Sequence, residues 1–422
     1  MIPHVNLDLP WDLSARERRA ADLGAAMARE FAPATAANDR SGRFPLEHYA
    51  RLHECGYLRL ALPRDYGGDG AGLLEMVLAQ EQLAQGDAAS AVGVGMLLNV
   101  LGRLAEEPLW PEPVFAEVCR AIARDGGLVN AVVTEPALGS ISRGGVPATM
   151  ARPVAGGWLV SGHKIFVTAA PALRFLLVAV QLPPSATAPH GEVARAIVEA
   201  PARGLRIEPA WADALAQRSG GSDEAFFDEV FVPAERLVER QPIGAPSVSG
   251  GAPATAPSAA PPEAPSAAPS ANAWWLTLVA VYLGVAQASV SAAADYANHR
   301  APAVLGRPIA EQPHVQQWLG QMQAQVLAAR ALLHDVARRW ERRPAERPAM
   351  GPAIAAAKQF VTNSACSVTE LGLRVAGGFS LTRTLPLERH FRDARGGLFQ
   401  PPQDDLALGM LGRHALASRA QR

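Results

Sequence analysis

The protein has 422 residues, 49% hydrophobic and 19% charged, which is a globular composition long enough for two or three domains and excludes both a disordered chain and a small stapled scaffold. Its 39 Lys/Arg against 40 Asp/Glu leave a net charge of -1, so no basic field recruits nucleic acid or an anionic membrane. Cys55, Cys119 and Cys366 are dispersed without a CxxC pair, and neither His163 nor His390 has metal-ligand spacing, so no disulfide framework and no metal site is expected, and the cytoplasm is the default compartment.

Residues 1–126 read as helical. Met1–Gly24 is charged and amphipathic, without the apolar core of a signal peptide. Leu13, Ala20, Leu23, Met27 and Phe31 fall at helical spacing, and Pro45 opens a second helix through Leu46, Tyr49 and Leu52. Ala71–Leu104 is Ala/Leu-rich and broken near Gln85-Gly86-Asp87, the pattern of two buried helices, and Pro111–Arg124 adds another.

Residues 127–240 change texture. Leu128–Thr134, Gly157–Ser161, Lys164–Thr168, Phe175–Val180 and Ser222–Val232 are short runs of β-formers separated by turn residues, which predicts a compact β domain. Residues 241–272 are Ala/Pro/Ser-rich and nearly free of large apolar side chains, so a mobile insert is expected there. From 273 to 422 the helical period returns, with one stripe through Val315, Leu319, Met322 and Val326 and another through Met350, Ile354, Ala357 and Val361, marking a helical bundle. Trp274–Ala294 is uncharged over a membrane-spanning length, but its Thr, Ser, Gln and Gly content and the absence of a one-sided basic flank favour a buried helix. This last segment carries 17 Lys/Arg against 10 Asp/Glu, a balance that suits a polyanionic small ligand such as a pyrophosphate cofactor or simply a solvated arginine face.

Five strings in order now bear on identity: Ala61-Leu-Pro-Arg-Asp-Tyr-Gly-Gly68, Val133-Thr-Glu-Pro-Ala-Leu-Gly-Ser140, Lys164-Ile-Phe-Val-Thr168, Asp228-Glu-Val-Phe-Val-Pro-Ala-Glu-Arg236 and Pro386-Leu-Glu-Arg-His-Phe-Arg-Asp-Ala-Arg395. Together they resemble the acyl-CoA dehydrogenase superfamily of FAD enzymes over nearly the whole chain. The resemblance implies an amino-terminal helical domain, a middle β-barrel or sandwich and a carboxy-terminal four-helix bundle. It further implies FAD, a small-molecule substrate such as an acyl thioester, and a homodimer or homotetramer. In the family, residues matching Val133 and Thr134 bind the pyrimidine side of the flavin, those matching Gly139 and Ser140 lie by the pyrophosphate, and those matching Phe166 and Thr168 lie beside the isoalloxazine. Read without the resemblance, Thr134 and Thr168 merely suit strands and Phe166 suits a core.

Arg300, followed by Leu305-Gly306-Arg307-Pro308-Ile309, resembles the family's Arg-x-x-Phe-Gly-x-Pro-Ile, with two extra residues and Leu305 in place of Phe. That Arg reaches the pyrophosphate of a neighbouring subunit in the family, as a bidentate guanidinium can. Arg374-Val-Ala-Gly377-Gly378 resembles Gln-x-x-Gly-Gly, whose small residues approach the cofactor, although a helix stop at these glycines reads equally well.

One departure matters for chemistry. The family removes a substrate α-proton with a glutamate while hydride passes to flavin N5, and the position matching that glutamate is Pro401, within Gln400-Pro-Pro-Gln-Asp-Asp405. The alternative family location falls near Trp274, which is no base either. The leading expectation is still α,β-dehydrogenation of an acyl thioester with hydride transfer to flavin N5, with Asp404 or Asp405 replacing the base; the alternatives are oxygen-dependent hydroxylation on the same fold or a flavin-binding relative that has lost turnover. As a plain sequence, Asp404 and Asp405 also read as helix N-terminal acids.

Overall fold

A computed structural model describes residues 12–138, 145–244 and 272–420. The helical start is fixed by Ser14, whose hydroxyl accepts from Glu17 N–H while the Glu17 carboxylate accepts from Ser14 N–H, a reciprocal cap that opens α1 (Ala15–Ser41). After α2 (Leu46–Glu54), the break expected near residue 86 falls at Asp87. Its carboxylate caps α4 (Ala88–Glu106) through the N–H groups of Ala89 and Ser90, and separates it from α3 (Leu73–Gly86). Helix α5 (Glu112–Asp125) completes the first layer.

The middle of the chain is one eight-stranded sheet: β1 (Leu128–Val132), β2 (Met150–Val154), β3 (Gly157–Val167), β4 (Leu173–Leu182), β5 (Glu192–Glu199), β6 (Leu205–Glu208), β7 (Asp223–Pro233) and β8 (Leu237–Pro242). Its order is β6-β7-β3-β2-β4-β5-β8, with β1 parallel beside β4. Two corrections to the sequence reading follow. The expected strands 157–161 and 164–168 are one strand, β3, which passes Gly162 with a register shift against β7; a Cβ at 162 would overlap the Thr149 side chain. Strands β2, β5, β6 and β8 were not legible, because Arg152, Arg195, Arg206 and Glu239 interrupt their apolar runs. Strand β8 also carries the sheet past residue 240; apart from residues 241–244 and Asn272, the expected insert lies outside the described residues.

Helices α6 (Leu276–His299), α7 (Pro313–Arg342), α8 (Gly351–Ala376) and α9 (Leu387–Phe399) pack as a bundle, and α10 (Asp404–Ala420) lies on α8. Among the described residues two helices, α4 and α6, are long and apolar enough to cross a membrane, and most of each is packed inside the protein. Helix α6 therefore behaves as the expected core helix and also seals the bundle against α3 and α4. A Cβ at Gly95 or Gly102 on α4 would overlap Leu278 or the Trp274 indole, so the two helices meet with these side chains filling the space between them. Between α3 and α7, the fully buried Glu81 carboxylate accepts from Arg330 Nε and pairs with His334 Nε2, each at 2.8 Å. Burial alone would raise the Glu81 carboxyl; the Arg330 charge and the His334 bond bring it down to about 2.

Candidate flavin site

The end of β1 and the end of β3 come together. Thr134 C=O accepts from Ile165 N–H at 3.0 Å, which places Val133 and Thr134 beside the segment carrying Phe166 and Thr168. Below this junction the buried Glu135 carboxylate accepts from Lys164 Nζ and Thr149 Oγ1, both at 2.6 Å, and from the N–H groups of Ala148 and Thr149. Burial pulls the Lys164 ammonium down to about 8. Burial opposes ionisation of Glu135, yet its donors hold its carboxyl below the ordinary value, so both are charged at neutral pH. This cluster closes the connection from β1 to β2. Gly139 and Ser140, expected by the pyrophosphate, lie outside the described residues.

Phe166 is the large aromatic of this junction, and it is not core: the residue is 58% exposed, with φ of 57°. Ala169 and Gln217, also non-glycine, share that left-handed region, so three costly backbone conformations, each of order 1–3 kcal/mol, gather at one place. Trp211 meets Phe166 edge to face at 5.8 Å between ring centroids. Thr168 is buried; its hydroxyl lies 3.0 Å from Ser222 Oγ, and its C=O accepts from Asn130 Nδ2. An exposed aromatic face flanked by small hydroxyls and main-chain polar groups fits a flat, polar-edged ring such as a flavin.

The other expected cofactor residues gather elsewhere. Arg300 ends α6 with its guanidinium over the Phe379 ring, 4.9 Å from the centroid, and forms no ion pair among the described residues. Phe379 directly follows Gly377 and Gly378. Gly377 has φ of 57° and stops α8, and open space surrounds the Cβ positions of both glycines. Arg374 is exposed and held by Glu370 at 2.7 Å. Tyr282 on α6 has its hydroxyl between the side-chain amides of Gln217 and Gln400. From there to His299, α6 runs about 26 Å, so the arginine end stands well away from the Phe166 face.

The turn between α9 and α10 carries the expected base position. Gln400 Nε2 donates to the Tyr282 hydroxyl at 3.3 Å, Pro401 and Pro402 follow, and α10 begins at Asp404. Both Asp404 oxygens are engaged, by Lys358 Nζ at 3.0 Å and Asn363 Nδ2 at 2.7 Å, while Asp405 is exposed in the same first turn. Trp274 is 3% exposed against Gly102, and its indole N–H finds no acceptor among the described residues. Trp211, Gln217, Ser222, Tyr282 and Asp393 were not singled out by sequence. Only Asp393 lay in a quoted motif, and the approach of the others depends on a loop path that no local pattern encodes.

Comparison with known proteins agrees with this architecture. Models of the acyl-CoA dehydrogenase N-terminal, middle and C-terminal domains match residues 17–107, 130–230 and 276–397. A Bacillus subtilis relative described as "Putative acyl-CoA dehydrogenase YdbM" is 37% identical over 394 residues, 93% of this chain and 95% of that one. L-evernosamine nitrososynthase of a Micromonospora species is 28% identical over 411 residues, 94% and 90% of the two chains. The solved butyryl-CoA dehydrogenase of Megasphaera elsdenii superposes with a TM-score of 0.80 at 21% identity, covering 97% and 100% of the chains. The chain belongs to the acyl-CoA dehydrogenase family, a family of flavin-dependent oxidoreductases, and the expected fold and flavin cofactor are those of the family.

Proposed function

We propose that this protein is an FAD-dependent oxidoreductase that uses molecular oxygen on a small-molecule substrate, with the flavin ring against Phe166 and Thr168. The observation that carries the reading is the α9–α10 turn: Pro401 falls where counting along the motif puts the family's base, and the nearby Asp404 has both oxygens occupied. Proline cannot accept a proton, and a carboxylate locked by a lysine and an amide is poorly placed to take one from a thioester. Oxygenation would need no such base: a flavin held here, reduced by a nicotinamide or flavin reductant, would supply two electrons, and with two protons one atom of O2 would enter the substrate and the other leave as water. Phe166 and Trp211 would shield the reacting face from water, and Thr134 and Thr168 would hold the polar ring edge. Were an acyl chain to enter between α4 and α6, the side chains of Leu278 and Trp274 would limit its length.

Arg300, with Gly377, Gly378 and Arg374 nearby, would take the pyrophosphate half of FAD bound to a second copy, because about 26 Å of α6 separates this cluster from the Phe166 side of its own chain. A homodimer or homotetramer follows from that sharing. The name of the 37% relative favours a second reading, thioester dehydrogenation, for which the exposed Asp405 would be the base. Anaerobic titration of the flavin-loaded protein with short, medium and branched acyl-CoA thioesters separates the two. Oxygenation predicts that none bleaches the visible band, whereas bleaching by any thioester would establish dehydrogenation.

A further inference from the structure

We infer that Asp393 is a positioning residue of the flavin site, a latch that holds the segment 211–222 against Phe166 and Thr168. The inference rests on the reading of those two residues as the flavin face. Asp393 lies on α9, 5% exposed, and its Oδ1 accepts from Gln217 N–H at 2.7 Å. Gln217 is the hub of the segment. Its C=O accepts from Gly220 N–H at 2.8 Å and from Trp211 Nε1 at 3.1 Å, a donor shared with the adjacent Ala216 C=O, so the indole beside Phe166 is tied to the stretch that Asp393 holds. Gly220 and Gly221 C=O in turn accept from Ala169 and Ala170 N–H, and Ser222 reaches the Thr168 hydroxyl. One carboxylate thus closes a chain of hydrogen bonds that ends on both sides of the flavin face, and it stabilises Gln217 at a φ of 52° that a non-glycine residue otherwise avoids.

The latch has a fixed base. The neighbouring Arg392 donates to both oxygens of Asp39 on α1, to Glu388, and to Leu215 C=O in the same loop. Around Asp393 stand Arg389 and Arg392 on α9, Asp39 on α1, the Tyr282 phenol on α6 and Gln217 in the loop. His390, which follows Arg389, is held neutral, its imidazole pushed down to about 3 by burial and the Arg389 charge. Burial pushes the Asp393 carboxyl up to about 6, opposed by the Arg389 charge and the Gln217 N–H. The sign of the linkage follows: the closed segment favours the protonated carboxyl, so closure is strongest at acid pH and weakens as pH rises through about 6.

The test is hydrogen exchange of residues 211–222 in flavin-free protein, expressed as protection at each pH between 5 and 8, with flavin affinity measured alongside. Wild type should lose roughly ten-fold or more of its protection across that range. Asp393→Ala removes the acceptor and should cost about ten-fold in protection of this segment and in flavin affinity at every pH. Asp393→Asn keeps an acceptor without the charge, and should restore both while flattening the pH profile. The inference is overturned if Asp393→Asn keeps the wild-type pH profile, or if Asp393→Ala folds and loosens α1 and α9 as much as residues 211–222. Should Asp393→Ala not fold, the Asn profile decides alone. Protein that follows these exchange patterns yet takes up no flavin sinks the flavin reading and leaves the latch standing.

Discussion

Lys358 and Asp404 form an ion pair at 3.0 Å across the contact of α8 with α10, in which the lysine is 1% exposed and the aspartate about a third exposed. With Asn363 on the other oxygen, this pair anchors the start of α10 and fixes the Pro401-Pro402 turn on α8. Asp404→Asn leaves the buried ammonium with a neutral partner. Because Asp404 is partly solvated, we expect a loss at the low end for broken buried pairs, about 2–3 kcal/mol by denaturant unfolding. Turnover of flavin-loaded protein should stay within about two-fold, since the carboxylate is structural. A loss of turnover of about a thousand-fold with little change in stability would instead make Asp404 the base.

Trp274 fills the space where α4 and α6 meet, seated on Gly102. Trp274→Ala should open a cavity and cost about 3–5 kcal/mol. If this indole limits the pocket, the variant also gains affinity for bulkier or longer substrate analogues in a flavin-perturbation titration. Substitution that costs stability without widening ligand range would place the indole in the core alone.

The helices were legible because their signals are local: apolar stripes at a 3.6-residue period, a first-turn proline at Pro45 and a break near Gln85-Gly86-Asp87; the caps at Ser14 and Asp87 show why the helices start where they do. Half of the strands were not: β2 and β6 have only five and four residues, and charged residues such as Arg152 and Arg206 on their outward faces interrupt the apolar runs, leaving too few apolar positions to mark a strand. At the site, Phe166 and Thr168 could be placed by their motif and prove adjacent to Thr134. Trp211, Gln217 and Ser222 could not, because their position comes from left-handed residues in a loop and from Asp393 on a helix 176 residues further along. The separation of Arg300 from Phe166 was equally invisible, being set by the length of α6 and not by any motif.

Lys164 and Glu135 couple strand β3 to the connection that carries Thr134. Lys164→Met leaves an ionised Glu135 with three remaining donors, so a moderate cost of about 1–3 kcal/mol is expected. The more telling readout is flavin affinity, which should fall because the β1–β2 connection loses its tie to β3. Fluorescence titration with FAD checks this; unchanged affinity would confine the pair to folding.

The Glu81 carboxylate joins α3 to both Arg330 and His334, and its removal should be the most damaging of the three polar changes. Glu81→Gln leaves the Arg330 guanidinium, 2% exposed, without its counter-charge, for an expected loss of about 3–5 kcal/mol at neutral pH. The pH dependence has a definite sign. With its carboxyl brought down to about 2 in the folded state against an ordinary 4.5, Glu81 contributes stability that is complete above pH 4.5 and is lost as pH falls toward 2. Urea midpoints between pH 2 and 7 should therefore drop steeply at the acid end for wild type and less steeply for Glu81→Gln, so that the two curves converge as the acid removes from the wild type the charge that the variant already lacks. Parallel curves would mean that the Glu81 charge is not what joins α3 to α7, leaving packing of the two helices to do it.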